Sequence, residues 1–263
     1  MIVSSLVSPL WQDLPQDHAK RLERAVALGL EASSGGAATV FFRADDVAVP
    51  GNSFTRMAQV FVRTGAPLCM AVVPAWLTAS RWQALSQLCD GTQWCWCQHG
   101  WRHMSFEAPG VKKREFGSAR PAKDKRQDLA KGFKRLSDIM GADFTPVFSP
   151  PWNRCDGESM AAMPALGFTG LSRTVGAGPE PPQGLPDFPV CTDLHTRKEP
   201  DPSQSLDALL EELTRGLASG LCGVMLHHQR MNETSALFLE TLVAALGKHP
   251  GVRFSHYREL LGQ

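Results

Sequence analysis

The chain has 263 residues, 43% of them apolar, enough for one large domain or two small ones with a substantial core. Its 27 basic and 26 acidic residues leave a net charge of +1, so no global field points to nucleic acid or to a membrane surface. No apolar run is long enough to span a bilayer.

Met1–Trp11 carries short apolar pieces without a basic leader or a sustained apolar stretch, so no export signal is read there. Seven cysteines, odd in number and mostly set in apolar segments, suit reduced thiols in a cytoplasmic protein better than a disulfide framework. The spacing predicts a helix over Asp17–Leu30, ended by Ser33-Ser34-Gly35-Gly36. Strand and helix signals then alternate. Strands are expected at Thr39–Ala44, Pro67–Val73, Gln93–Gln98, Thr145–Ser149, Phe168–Ser172, Phe188–Leu194, Gly223–His227 and Val252–Ser255. Helices are expected at Ser53–Arg63, Thr78–Leu88, Lys123–Met140, Asp156–Leu166, Leu206–Leu217 and Ser235–Leu246, with Asn52-Ser53, Thr78 and Asn232 as N-caps. Such alternation implies a parallel sheet with covering helices, and eight strands imply an α/β fold closed into a distorted, TIM-barrel-like (β/α) barrel. The expected organisation is a helical extension over residues 1–38 packed on one barrel domain, residues 39–263.

Unusual polar residues fall at the downstream ends of predicted strands: Asp45-Asp46, His99, Ser149-Pro150-Pro151-Trp152 and His227-His228. In an α/β barrel those ends form the rim that carries active sites. Adjacent acids after a strand often only cap a turn. Functionally, they divide the work, because successive side chains leaving a strand point to opposite sides: one carboxylate binds a metal and the other stays free as a base. His99 and His103, one turn apart, reach one ion, and a carboxylate such as Asp46 completes a three-ligand site. Gly100 excludes the H-E-x-x-H protease helix. Cys95 and Cys97 share a strand face with His99 but sit below the rim and read as small core residues. An acid to protonate a leaving nitrogen is open between His227, His228 and His195. Lys112-Lys113-Arg114 and Lys123–Arg126 make the segment after His103 basic, which is ordinarily a solvated face; a lid meeting an anionic substrate group is the functional alternative.

These residues resemble the polysaccharide deacetylase family, the NodB-homology group of carbohydrate esterases, from about Thr39 to the C-terminus. Arg43-Ala44-Asp45-Asp46 stands at its paired aspartates, and His99-Gly100-Trp101-Arg102-His103 at its H-x-x-x-H motif. Ser149-Pro150-Pro151-Trp152 stands at its groove motif and Leu226-His227 at its late Leu-His motif. The resemblance implies one divalent ion, usually zinc, on Asp46, His99 and His103, with Asp45 as general base and His227 as general acid. It implies a substrate groove at Pro151, Trp152 and Asn153, and hydrolysis of an N-acetyl group on an amino sugar or saccharide. Two motifs differ. Ser149 stands where the family has the arginine that orients its base, and Arg43 or Arg154 is the substitute. No tryptophan motif is recognisable in Cys191-Thr192-Asp193-Leu194-His195. Other readings are a catalytically silent barrel that binds carbohydrate or a partner, supported by Ser149, and a metal-dependent phosphoesterase, suggested by the basic segment.

Overall fold

The structure, a computed structural model, describes residues 7–262. Residues 1–6, which belong to the expected extension and to the segment in which no export signal is read, lie outside the described residues, as does Gln263. All eight expected strands occur: β1 (Ala38–Val47), β2 (Leu68–Val72), β3 (Trp94–His99), β4 (Phe144–Ser149), β5 (Gly170–Leu171), β6 (Val190–Asp193), β7 (Leu221–Leu226) and β8 (Val252–Ser255). Around them lie α1 (Pro9–Gln12), α2 (His18–Glu31), α3 (Asn52–Thr64), α4 (Ala79–Leu88), α5 (Ala122–Met140), α6 (Gly157–Ala162), α7 (Pro202–Ala218), α8 (Glu233–Gly247) and α9 (Tyr257–Leu260). The fold is a distorted (β/α) barrel, and the strand pairs β1–β7, β1–β8, β3–β4, β4–β5 and β6–β7 are all parallel.

Two compact units divide the chain. The first comprises residues 7–44, 50–68 and 190–256. In it β1 pairs β7 from Thr39↔Leu221 to Ala44↔Leu226, and β8 pairs the start of β1 from Ala38 to Phe41. Strand β1 reads as a continuous apolar run because Val40, Phe41, Phe42 and Ala44 are all fully buried. Helix α2 packs on α7 at Gly29, where a Cβ would lie 2.8 Å from that of Leu217. Trp11 is fully buried and donates its indole N–H to the Leu194 carbonyl at 3.0 Å, which pins α1 into this unit.

The second unit comprises residues 45–49, 69–189 and 257–262. Here β3 pairs β4 with His99 opposite Ser149, and β4 pairs β5 with Phe148 opposite Leu171. Phe116, Leu129, Phe148, Phe168 and Leu171 form its apolar cluster. Gln98 is fully buried and donates to the Gly100 and Leu129 carbonyls at 3.0 and 3.3 Å. Its side chain fills the space that a Cβ at Gly132 would occupy, so β3 exits against α5 at a fixed position.

Helix boundaries depart from expectation where proline and side-chain caps decide them. Thr78 caps α4 and Asn232 caps α8 in a reciprocal capping box, as expected. Asn52 does not cap: Gly51 holds the cap position and Asn52 is the first helical residue. Expected helix Asp156–Leu166 stops at Ala162, and a single 3-10 turn, Pro164–Leu166, follows, because Pro164 cannot donate into the α ladder. Helix α7 begins four residues before Leu206, since Asp201 caps it and Pro202 takes the first helical position.

Candidate metal centre

Within the second unit, Asp45 and Asp46 occupy the last turn of β1. The strand runs to Val47, two residues past the expected exit at Asp45, and it does not alternate regularly there: Asp46 has φ 60°, in the left-handed region. The two carboxylates are therefore separated by a turn of the backbone and not by simple pleating. Asp45 is almost fully buried, whereas the Asp46 side chain keeps 22% of its surface exposed.

Strand β3 delivers His99 beside that turn. Its Nδ1 lies 2.9 Å from the Ser149 carbonyl oxygen, so Nδ1 carries the proton and Nε2 holds the lone pair. That Nε2 faces Asp46 Oδ1 at 3.3 Å, and Nε2 of His103 faces the same oxygen at 3.1 Å. Tetrahedral zinc with bonds of 2.0–2.1 Å sets its ligand atoms about 3.3 Å apart. The donor set, the separations and the tautomer of His99 all fit a divalent cation. One ligand atom from each of Asp46, His99 and His103 lies within 4.8 Å of the others. Burial, followed by the neighbouring His99, pushes the His103 imidazole down to about 4 against the pull of Asp46 and Asp45, so it is neutral at physiological pH and offers a lone pair.

What shapes the His99–His103 turn is a residue that the sequence did not disclose. Glu115, fully buried, accepts the backbone N–H groups of Trp101, Arg102 and His103 at 3.2, 2.7 and 3.2 Å. Burial nevertheless raises its pKa above the usual carboxylate value. Gly100 (φ 60°) allows this approach, because a Cβ there would lie 2.2 Å from Glu115 Oε2 and 2.5 Å from Pro151 Cγ. His103 has φ 57°, a left-handed conformation held by its N–H to Glu115.

The residues expected to line a groove lie next to this turn. Pro151 is buried over Gly100, and the half-buried Trp152 places its ring 4.5 Å from that of His103. Trp152 and Asn153 are both left-handed, with φ of 56° and 58°. Lys113 Nζ stands 5.9 Å above the Trp152 ring, and Arg154 donates to the Lys113 carbonyl at 3.4 Å. Ser149 is buried, with its hydroxyl donating to Ser172 O at 3.4 Å.

The first unit holds the other candidates. Arg43 is fully buried, with Nη2 3.1 Å from Met225 Sδ. His228 is buried edge-on against Phe54. His227 keeps 18% of its side chain exposed, and its Nδ1 lies 3.8 Å from Asp193 Oδ1. Asp193 was likewise not singled out in the sequence. It accepts the N–H groups of His195 and Thr196, both at 3.0 Å, and the Thr196 hydroxyl. Burial works against its charge, but His227 and these donors together hold its pKa below the usual value. His195 is fully buried, and its Nδ1 accepts the His227 N–H at 3.2 Å. Burial, then the neighbouring His227, drives the His195 pKa down to about 3. Neutral over the physiological range, His195 is a structural acceptor and a poor proton donor.

No protein-family model and no curated protein matches the sequence. Solved structures do match it in fold. A protein from Mycobacterium smegmatis assigned as a polysaccharide deacetylase aligns at TM-score 0.63 with 13% identity, over 86% of this chain and 88% of that one. The family 4 carbohydrate esterase domain of a multidomain xylanase, from the hindgut metagenome of Trinervitermes trinervoides, aligns at 0.56 with 12% identity, over 86% and 90%. A pseudoenzyme of the same esterase family from Bacillus anthracis aligns at 0.55 with 11% identity, over 86% and 66%. The chain thus has the polysaccharide deacetylase fold in a strongly divergent sequence.

Proposed function

We propose that this chain is a divalent-metal-dependent hydrolase that removes the N-acetyl group of an amino sugar or saccharide, in polysaccharide or glycoconjugate metabolism. The observation that carries the reading is one carboxylate oxygen of Asp46 facing two imidazole Nε2 atoms at 3.3 and 3.1 Å. Asp46, His99 and His103 would hold the ion, for which zinc suits the two-nitrogen, one-oxygen set. When bound, such an ion lowers the pKa of a water and polarises the amide carbonyl. Asp45, adjacent to a ligand but outside the three-donor set, takes the proton that the attacking water loses. An amine cannot leave as an anion, so the amide nitrogen must gain a proton. His227 is assigned that task, with Asp193 orienting its ring; the low pKa of His195 argues against it as the donor. Pro151, Trp152 and Asn153 provide the sugar-facing wall. None of the seven cysteines forms a disulfide, which supports a reducing compartment such as the cytoplasm. Among the described residues no helix is long and apolar enough to cross a membrane.

One alternative has specific support: a silent barrel. Ser149 replaces the family's arginine, and the fold is shared with a pseudoenzyme. Metal content and acetate release from a panel of N-acetylated sugars, for wild type and Asp45→Asn, decide between the two. Both proteins should retain metal, with acetate released by wild type alone. Metal-free wild type, or no acetate release by wild type, removes the hydrolase; equal release from both removes Asp45 as the base.

A further inference from the structure

Some cations on this surface are neutralised locally. Arg63 pairs with Glu240, Lys134 with Asp138, Arg215 with Glu211 and Lys248 with Glu23. Around the His99–His103 turn, cations without ion pairs are concentrated and carboxylates are few. Arg102, Lys112, Lys113, Arg114 and Arg154 form no ion pair among the described residues. Segment 102–114 sets four of these cations against one carboxylate, Glu107, since the carboxylate of Glu115 is buried beneath the turn. Uncompensated cations repel one another, so their clustering costs stability unless a ligand anion joins them.

The cluster is also anchored to the metal centre. Trp152 lies 4.5 Å from the His103 ring, and Lys113 Nζ lies 5.9 Å from the Trp152 ring. The ammonium is therefore no farther than about 10 Å from the imidazole, within reach of a single sugar residue and its substituents. Arg154 holds the Lys113 backbone, so the lysine stem leaves from a tethered position. A phosphate ester, carrying nearly two charges and several acceptor oxygens, suits an ammonium and a guanidinium better than a singly charged carboxylate does.

We infer that the acylated amino sugar handled at this centre carries a phosphate ester within one sugar residue of its acetamido group, read by Lys113 with Arg154. This rests on the reading of Asp46, His99 and His103 as metal ligands. The test is calorimetric binding to zinc-loaded Asp45→Asn protein at low salt. The probes are N-acetylglucosamine 1-phosphate, its uridine diphosphate ester and the neutral methyl glycoside. The phosphate esters should bind about tenfold tighter than the glycoside, an advantage that shrinks as salt rises. Adding Lys113→Ala and Arg154→Ala should bring all three to parity by weakening the two esters. The two esters separate a sugar phosphate from a nucleotide-linked sugar as the source of the anion. Parity in the parent overturns the inference. So does a preference that survives the double substitution, since the phosphate would then sit on the cation itself. Acetate release by wild type from glycoside and esters at equal kcat/KM also overturns it, while the hydrolase reading stands. Lysine-dependent ester binding with no acetate from any sugar sustains the anion site and removes the hydrolase.

Discussion

Asp46 and His103 both adopt left-handed backbone conformations that L-residues avoid, at a cost of order 1–3 kcal/mol each. Both also present a donor atom to the same small volume, so strain and ligand geometry coincide. His103→Ala should lose metal by more than the roughly 10- to 100-fold typical of an outer partner, read as zinc content after dialysis. His227→Ala should keep its metal while kcat falls by about 10²–10⁴. Full activity in that variant moves the acid to another residue. His195 gives a pH prediction. It takes up its proton near 6.5 when unfolded but only near 3 when folded, so the unfolded chain holds more protons between those values. Stability is fully present above about 6.5 and falls as pH drops through that window. Between pH 7 and 5 the loss should be roughly 2 kcal/mol, and denaturant titration of His195→Gln should show a shallower decline. The cluster of Asp46, His99 and His103 was legible in the sequence because Asp46 and His99 stand near strand ends and His103 follows His99 by four residues. Asp193 and Glu115 were not. A carboxylate that accepts backbone N–H groups looks in sequence like any surface acid.

At the scale of elements, period and turn signals disclosed every strand, and boundaries failed where single residues decide them. Asp201-Pro202 starts α7 ahead of the helix expected from Leu206, and Pro164 keeps α6 from running on to Leu166. The turn joining the two imidazoles is the element on which the site depends, and Glu115 is its clamp. Glu115→Ala leaves three backbone N–H groups without their acceptor, each worth about 1–3 kcal/mol when buried. Thermal unfolding should show a loss of several kcal/mol. Glu115→Gln keeps the volume but turns an N–H₂ group toward donors, so metal affinity should fall by about 10- to 100-fold in a better-folded protein. Unchanged affinity in Glu115→Gln would show that the clamp does not set the ligands.

For the whole molecule, the proposed ligands come from β1 and from the exit of β3, elements separated in sequence by α3, β2 and α4. Binding energy at the centre is consequently folding energy for the unit that contains them. Zinc at about 100 times its Kd should add about 2.7 kcal/mol, or about 5–10 °C in Tm for a chain of this size. A chelator should reverse that gain in wild type and do nothing to His103→Ala. A wild-type Tm indifferent to zinc would mean that no ion is held. The sequence conveyed the barrel well because a parallel α/β sheet is written in strictly alternating periods. It conveyed the site's supports poorly, because contacts such as His99 to the Ser149 carbonyl depend on strand register.

Since Glu115 fastens residues 101–103 from the far side of segment 104–114, that segment is a handle whose two ends are tied together at the base. Insertions or deletions at its exposed tip, around Pro109-Gly110, should therefore leave the ion's coordination sphere intact. Grafting the five residues from His99 to His103 onto another barrel without Glu115 should fail to reproduce it. Selection on such a molecule can reshape what it recognises by rewriting the handle, while the chemistry beneath stays in register.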